Sequence, residues 1–324
     1  HNSSGSGTFT LKSGKKITTN NGKLKVTAAD IQIHGSISTG TAYTHIFTTN
    51  SRTMGLGGTT QQFDMEALEF QRISTSGMII GETNTNGDIL LTKVTASNSN
   101  NIVGIVTLIA TKDNAKVTVD SGGSTFHTFA IQADNGIVLN KKLSATVGSL
   151  YVEGDVENSS SADSTNDVTF ATGLTFTSAT RLTLDASAGE LKPAGHLTWA
   201  AGSGIMILSS STATGTGLLV MNSDTDSAGD GTLTVVSTKV ISTSGGSVQV
   251  TAWDVDMLGG INSGTGVLDI TGSSNGQTLG LGVTSKDMHV SIAELSRMTS
   301  TGGARFGAQT TSGDHMLGDI TVNG

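Results

Sequence analysis

The segment DTDSAGDG places Asp224, Asp226 and Asp230 within seven residues. Carboxylates at alternating positions of a Gly-containing loop suit Ca²⁺, which takes hard oxygen ligands. These three are the calcium candidates of the chain. However, Ala228 stands where such a loop places its third side-chain ligand, and no bidentate Glu follows at the expected distance. A solvated turn, with Asp side chains accepting backbone N–H bonds, is the simpler reading. The acidic stretch holding Asp155, Glu157, Asp163 and Asp167 reads the same way, as a loop that protrudes from the fold. Paired carboxylates can also cleave or eliminate polysaccharides by acid–base chemistry. Asp254, Asp256 and Asp269 are the candidates for that reaction. Glu69 with Arg72, and Glu294 with Arg297, share a three-residue spacing that puts each pair on one helix face as a local ion pair. His1, His34, His45, His127, His196, His289 and His315 are scattered, with no two at metal-ligand spacing. The chain contains no P-loop, no G-x-S-x-G elbow and no H-E-x-x-H.

The elements that would carry these residues are short strands. Segments such as KLKV at Lys23, DIQIHG at Asp30, KVTVD at Lys116, RLTLDA at Arg181 and SVQVTA at Ser247 alternate apolar and polar residues. Gly, Asn, Ser or Asp bounds each one, as expected of strands and turns. The apolar phase switches parity across Thr27 to Asp30 and again across Thr251 to Asp254. So short a switch predicts a corner after which the chain keeps turning in the same sense, as in a parallel β-solenoid. Coils of about 20–25 residues are expected. Short helices are predicted within Gln62 to Ile73 and Val290 to Met298, where MEALEFQRI and SIAELSRM carry helix-spaced apolar residues.

Comparison of the two ends removes most of the catalytic candidates. Thr8 to Thr41 aligns without a gap to Thr232 to Thr265, and MGLGGTTQQFDMEALEFQRISTSG at Met54 pairs with LGLGVTSKDMHVSIAELSRMTSTG at Leu279. Asp256 corresponds to Gln32 and Asp269 to His45, so only Asp254 recurs, as Asp30. A recurring corner Asp is a turn residue in the first instance. Trp253 replaces Ala29 at that corner. It is a packed or surface ring, or else a platform for a sugar or a neighbouring subunit. The repeat divides the chain into a first copy at 1–91, an irregular middle at 92–230 and a second copy at 231–324. All three are expected to form one continuous solenoid.

Composition limits the partners. The chain has 324 residues, 43 Gly, 1 Pro, no Cys and 14% charged residues. Low charge with abundant Val, Ile and Thr indicates a folded chain rather than a disordered one. At 4% aromatics, large rings are not expected to fill the core. The net charge of -8 argues against a nucleic-acid partner. No apolar run reaches the length of a membrane span. Disulfides and thiolate metal sites are excluded by the absence of Cys. Sequons occur at Asn2 and Asn158. Thr-x-Thr pairs at Thr8 and Thr175 do not recur at a coil spacing, so an ice-binding array is not expected.

The ladders GTLTV at Gly231 and GTFTL at Gly7, the corners TAADIQI and TAWDVDM, the GLG turns and the segments FQRISTSG and LSRMTSTG form a recurring set. With the strand at Gly318 to Val322, that set resembles the haemagglutination-activity and filamentous-haemagglutinin family of secreted β-helix adhesins. The resemblance implies an all-β, right-handed parallel β-helix with short helical insertions. It further implies secretion or a cell-surface location and an adhesive or structural role. The family offers no catalytic residues to carry over, and no cofactor is expected.

A solenoid has two open β edges, which soluble examples cover with caps. No capping segment is recognisable. Thr8, Thr10 and Leu11 at one end, and Ile320, Thr321 and Val322 at the other, are therefore the expected assembly edges. They would join by β-augmentation, either within a longer repeated chain or between subunits. The expectation is an extracellular structural filament or adhesin subunit whose partners are other copies of itself and cell-surface glycans. The alternatives are a β-helix polysaccharide lyase or hydrolase and a glycan- or calcium-binding surface module.

Overall fold

The computed structural model describes residues 6–58, 60–157, 165–307 and 320–323. The sequons at Asn2 and Asn158, and Asp163 of the acidic stretch, lie outside the described residues. The chain forms two compact units, His1–Val168 with Ala186–Gly189, and Thr169–Asp185 with Glu190–Gly324. Each is built almost wholly of short parallel strands, as in a parallel β-solenoid.

In the first unit one sheet runs through Leu24–Ala28, Thr44–Thr48, Met78–Ile80, Ile105–Ala110, Thr128–Ala133 and Leu150–Glu153. A second runs through Phe63–Glu66, Met54–Gly57, Ile89–Leu91, Val117–Val119 and Ile137–Leu139. Shorter sheets pair Thr8–Leu11 with Asp30–Ile33, and Lys16–Thr18 with Ser36–Ser38 and Ile73–Ser74. Every one of these pairings is parallel. Thr8 lies opposite Asp30, and Leu24 opposite Thr44, so plain coils take 22 and 20 residues. Thr44 lies opposite Met78, 34 residues on, because this coil also holds the strand Phe63–Glu66 and the helix Ala67–Gln71.

The second unit repeats this plan. Leu182–Asp185, Ile205–Ile207, Thr232–Val235 and Asp254–Met257 form one sheet. Leu174–Ser178, Leu197–Ala201, Leu219–Asn222, Val248–Ala252, Leu268–Gly272 and Ala304–Phe306 form another. Ser211–Thr212, Val240–Ser242, Gly260–Gly264 and Met298–Ser300 are consecutive strands of a third. Leu279–Gly282 lies between Met288–Ser291 and Ile320–Asn323.

The parity switches fall where the strands break. Ala29 separates Leu24–Ala28 from Asp30–Ile33, and Trp253 separates Val248–Ala252 from Asp254–Met257. Both predicted helices are present but shorter, as Ala67–Gln71 and Ile292–Leu295. The residues before each one, Phe63–Glu66 and Met288–Ser291, are strand, since a neighbouring strand holds their backbone. A third short helix, Ala96–Ser99, had no apolar period to announce it. The acidic stretch does not protrude from its beginning. Val152 is 0% exposed in the strand Leu150–Glu153, and Asp155 is also buried.

Aromatic rings do fill parts of the core, contrary to the expectation from composition. Trp199, Phe63, Phe70, Phe126, Phe129, Phe170 and Phe176 are the largest fully buried side chains. Phe126 stacks on Phe129 at 4.2 Å, and Trp199 and Phe176 pack edge-on to Phe170 at 5.5 and 5.3 Å. A narrow coil accepts a ring where neighbouring layers share its column. Phe176, Trp199, Met221, Val250 and Ile270 stack in one such column. Few rings therefore suffice, and eight of the thirteen Phe, Trp and Tyr side chains are buried.

Hydroxyl side chains line a corner in each unit. Thr19, Thr39, Thr243, Ser263 and Ser300 each donate their O–H to the carbonyl of the residue three positions on. Thr39 and Thr75, on successive coils, lie 2.8 Å apart through their Oγ1 atoms. These five hydroxyls thus close turns that end in glycine or alanine.

Candidate functional site

The three calcium candidates do come together. Asp224, Asp226 and Asp230 each place a carboxylate oxygen within 4.8 Å of the others. Asp224 is buried, and its oxygens already accept three hydrogen bonds. Ala228 N–H donates to Oδ1 at 3.2 Å, and Gly229 N–H and Ser273 O–H donate to Oδ2 at 3.2 and 2.5 Å. Asp226 accepts from Ala228 N–H as well, and it is exposed, as is Asp230. Burial pushes the Asp224 carboxyl above its ordinary range, while the Ser273 and Gly229 bonds pull it down and Asp226 pushes it up. A carboxylate held by two turn N–H groups and by the Ser273 hydroxyl from further along the chain fits a corner brace. Gly229 lies against Trp253, whose half-buried ring packs on this same corner. Of the second acidic group, Asp155 accepts from Ala188 N–H at 2.8 Å and so braces another turn.

The recurring Asp and the Glu–Arg pairs form one device, present in both copies. Asp30 Oδ1 accepts from Asp64 N–H, and Asp254 Oδ1 from His289 N–H, both at 3.0 Å. Glu69 Oε1 accepts from Ile33 N–H at 2.5 Å, and its Oε2 from Glu66 N–H at 2.7 Å. Arg72 Nη1 donates to the Ile33 carbonyl at 2.6 Å. In the second copy Glu294 accepts from Met257 N–H and Ser291 N–H at 3.0 and 2.9 Å, and Arg297 donates to the Met257 carbonyl at 2.9 Å. The expected ion pair is therefore replaced by a clamp in which Glu and Arg grip the two polar groups of one residue. The physical reason is that Ile33 and Met257 have a paired strand on one side only, opposite Leu11 and Val235, and the inserted segment leaves the other side to be bonded by side chains. Unbonded buried backbone is costly.

The enzyme candidates separate. Asp254 and Asp256 share the strand Asp254–Met257, but Asp269 lies on a different sheet and is bound by Arg305 through two bonds of 2.5 and 2.6 Å. A cleft of about 390 Å³ in the first copy adds Asp64 and Glu66, not singled out from the sequence, to Asp30 and Glu69 along its wall beside Arg72. Burial raises the Asp64 and Glu69 carboxyls, and burial likewise raises Asp254. The second copy has His289 and Ser291 where the first has Asp64 and Glu66, so this grouping does not recur.

The two coil edges are more informative. Thr8–Leu11, Lys16–Thr18 and Leu24–Ala28 are each paired on one side among the described residues. Their counterparts in the second copy are paired on both. Ile205–Ile207, Ser211–Thr212 and Leu219–Asn222 cover the matching side. Accordingly Phe9, Ile17 and Leu24 are only half-buried, whereas their counterparts Leu233, Ile241 and Val248 are all 0% exposed. A strand of the second unit shows the reverse. Ile320–Asn323 pairs with Leu279–Gly282 as Ile89–Leu91 pairs with Met54–Gly57. Val117–Val119 covers the far side of Ile89–Leu91, and among the described residues nothing covers Ile320–Asn323. Val322 is 68% exposed, and its counterpart Leu91 0%. The expected edge residues Thr8, Thr10, Leu11, Thr321 and Val322 all lie on these one-sided strands, with Leu11 itself 8% exposed.

No helix among the described residues is long and apolar enough to cross a membrane. Comparison with known proteins finds no matching family model, no matching curated protein and no matching solved structure.

Proposed function

We propose that this chain is a non-catalytic structural module, an extracellular filament or adhesin subunit, that continues end to end through its open coil edges. One observation carries the reading. Equivalent apolar residues are sealed in the copy that has a further coil stacked on it and half-buried in the copy that, among the described residues, has none. Unpaired strand edges with exposed apolar side chains are templates for β-augmentation. Sedimentation velocity and negative-stain microscopy over a concentration series test it. Growth of linear particles with concentration is the expected result, and monodisperse short particles throughout would sink it.

A second reading attaches to the cleft beside Asp64. Raised carboxyls suit a general acid acting on a polysaccharide. Turnover of an acidic polysaccharide that is abolished by Asp64→Asn would favour it over the structural role.

A further inference from the structure

The second unit holds a groove of about 360 Å³ with two cations on its wall, Lys239 and Arg297, and no acidic residue. That volume is the size of a small-ligand site. Gly260 N–H donates to the Lys239 carbonyl at 2.9 Å, and Ile261 N–H to the Arg297 carbonyl at 3.1 Å. Lys239 and Arg297 therefore lie on the coils either side of Gly260 and Ile261, with their backbones about 10 Å apart, two parallel-strand spacings. Neither cation forms an ion pair with a described carboxylate.

The repeat separates the cations from their setting. Of Lys12, Lys15, Lys16, Lys23 and Lys25 in the first coil, only Lys15 recurs, as Lys239, and Arg72 recurs as Arg297. The backbone arrangement recurs with them, since Ser36 N–H donates to the Lys15 carbonyl at 3.0 Å and Ile37 N–H to the Arg72 carbonyl at 2.9 Å. The residues around them differ. Val240 and Leu258 line the groove where the first copy has Lys16 and His34. They are 42% and 54% exposed. Only the second copy thus sets its two cations beside an open apolar wall.

That combination selects an occupant. Arg297 is oriented before any ligand arrives, because its Nη1 donates to the Met257 carbonyl at 2.9 Å. A guanidinium held in this way offers its other N–H groups as a fork, which matches a planar carboxylate through two bonds. Lys239 adds a second positive charge. Asn262 and Thr299 lie opposite each other on neighbouring strands and bring an amide and a hydroxyl to the same groove. An apolar wall beside amide and hydroxyl groups matches a pyranose ring, which has a C–H face and a hydroxyl edge. Two apolar side chains are too few to hold an acyl chain, and the net charge of -8 disfavours a nucleic acid.

We propose that this groove binds a hexuronate residue of an acidic polysaccharide, with Arg297 and Lys239 facing its carboxylate and Leu258 and Val240 against its ring. The inference rests on the non-catalytic, adhesive side of the reading above, and it does not require end-to-end assembly.

The test is calorimetric titration of the dilute chain with a galacturonate pentamer. The wild type is expected to bind, and Lys239→Gln to bind about tenfold more weakly. Arg297→Lys keeps the charge but loses the fork, and a similar loss of about tenfold is expected. If Arg297→Lys does not fold, Leu258→Ser replaces it, with an expected loss of about threefold from the apolar wall. Lys141→Gln removes an exposed positive charge elsewhere and should leave binding unchanged. Methyl esterification of the pentamer, which keeps the sugar and removes its charge, should abolish binding. A glutamate pentamer bound as tightly as the galacturonate, or equal weakening by Lys141→Gln, would overturn the sugar site in favour of unspecific charge. No binding by the wild type would overturn the groove and leave end-to-end assembly standing. Binding by a chain that stays monomeric at every concentration would uphold the groove and overturn the assembly alone.

Discussion

The first copy, from Thr8 to Leu91, and the second, from Thr232 to Phe306, are built alike and situated differently. Their corners match atom for atom. Asp30 and Asp254 each hold an N–H of the inserted segment, and Glu69–Arg72 and Glu294–Arg297 each grip one backbone residue. Their apolar ladders do not share one fate. Leu233, Ile241 and Val248 are sealed by the coil that precedes them, whereas Phe9, Ile17 and Leu24 remain half-buried. Local geometry is thus a property of the repeat, and burial is a property of what stacks on it. The carboxylate cleft differs in the same way, since Asp64 and Glu66 belong to one copy alone.

The largest expected difference lies in the ladders. Leu233→Ala should cost about 2–5 kcal/mol in chemical unfolding, the range for a sealed core residue. Phe9→Ala should cost about 1 kcal/mol while the first edge is open, because less area leaves water there. If the edge is covered in the assembled state, the Phe9→Ala cost should rise toward the Leu233 value under assembling conditions. Equal costs in dilute monomer would break the comparison.

The corner glycines should behave identically. A Cβ on Gly35 would meet the Lys15 carbonyl oxygen at 2.2 Å, and one on Gly259 the Lys239 oxygen at 2.1 Å. Gly35→Ala and Gly259→Ala should each lose about 3 kcal/mol by overpacking. Similar midpoint shifts in parallel denaturant titrations are expected, and a difference of more than twofold would show that the two corners are not equivalent.

The clamps should differ modestly. Glu69 is 5% exposed and Glu294 half-buried. Removing Glu69 leaves two backbone N–H groups unbonded with little access to water. Glu69→Ala should cost about 2 kcal/mol and Glu294→Ala about 1 kcal/mol, measured on the same denaturant scale.

The smallest effect is on pH dependence. Burial raises the Asp64 and Glu69 carboxyls in the first copy, and Asp254 in the second. A raised folded-state value means that the folded chain binds the proton more readily. Its stabilising contribution is full below the unfolded values, about 3.9 for Asp and about 4.3 for Glu, and is lost as pH rises through the folded value. Asp287 has the opposite sign, because the Thr278 N–H and O–H lower it, so its contribution is lost on acidification below its unfolded value. Between pH about 7 and about 5 the raised groups dominate, and calorimetry should show a small gain in melting temperature. Asp64→Asn with Glu69→Gln should flatten that slope more than Asp254→Asn. A slope unchanged by all three substitutions would remove the electrostatic difference between the copies.

Several features were legible in the residues. Parity placed the breaks at Ala29 and Trp253, and period-2 alternation placed the strands. The recurrence of Asp254 as Asp30 marked a shared position, although the N–H that each holds lies 34 or 35 residues on, outside the turn. Other features were hidden. A three-residue Glu-to-Arg spacing signals a helix face, and nothing in it reveals that both ends reach back about 36–40 residues to Ile33 and Met257. The Ser/Thr corner motif was visible as a hydroxyl three residues before Gly22, Ala42, Gly246, Gly266 or Gly303, but its meaning needed the inward-turned O–H. Asp64 and Glu66 were passed over because a strand presents them beside Asp30, which is 34 residues away from Asp64.

By itself the sequence determined the strand and turn pattern, the duplication and the parallel coiling, because alternation and corner chemistry are local. The lysine-rich first coil was written there as well. Only the tertiary structure decided which copies of a ladder are sealed, which carboxylates are held by backbone donors and where rings enter the core. Those outcomes depend on residues 20 to 36 positions apart meeting across a stacked coil. Contact at that range is set by the register of whole strands, and no local spacing encodes it.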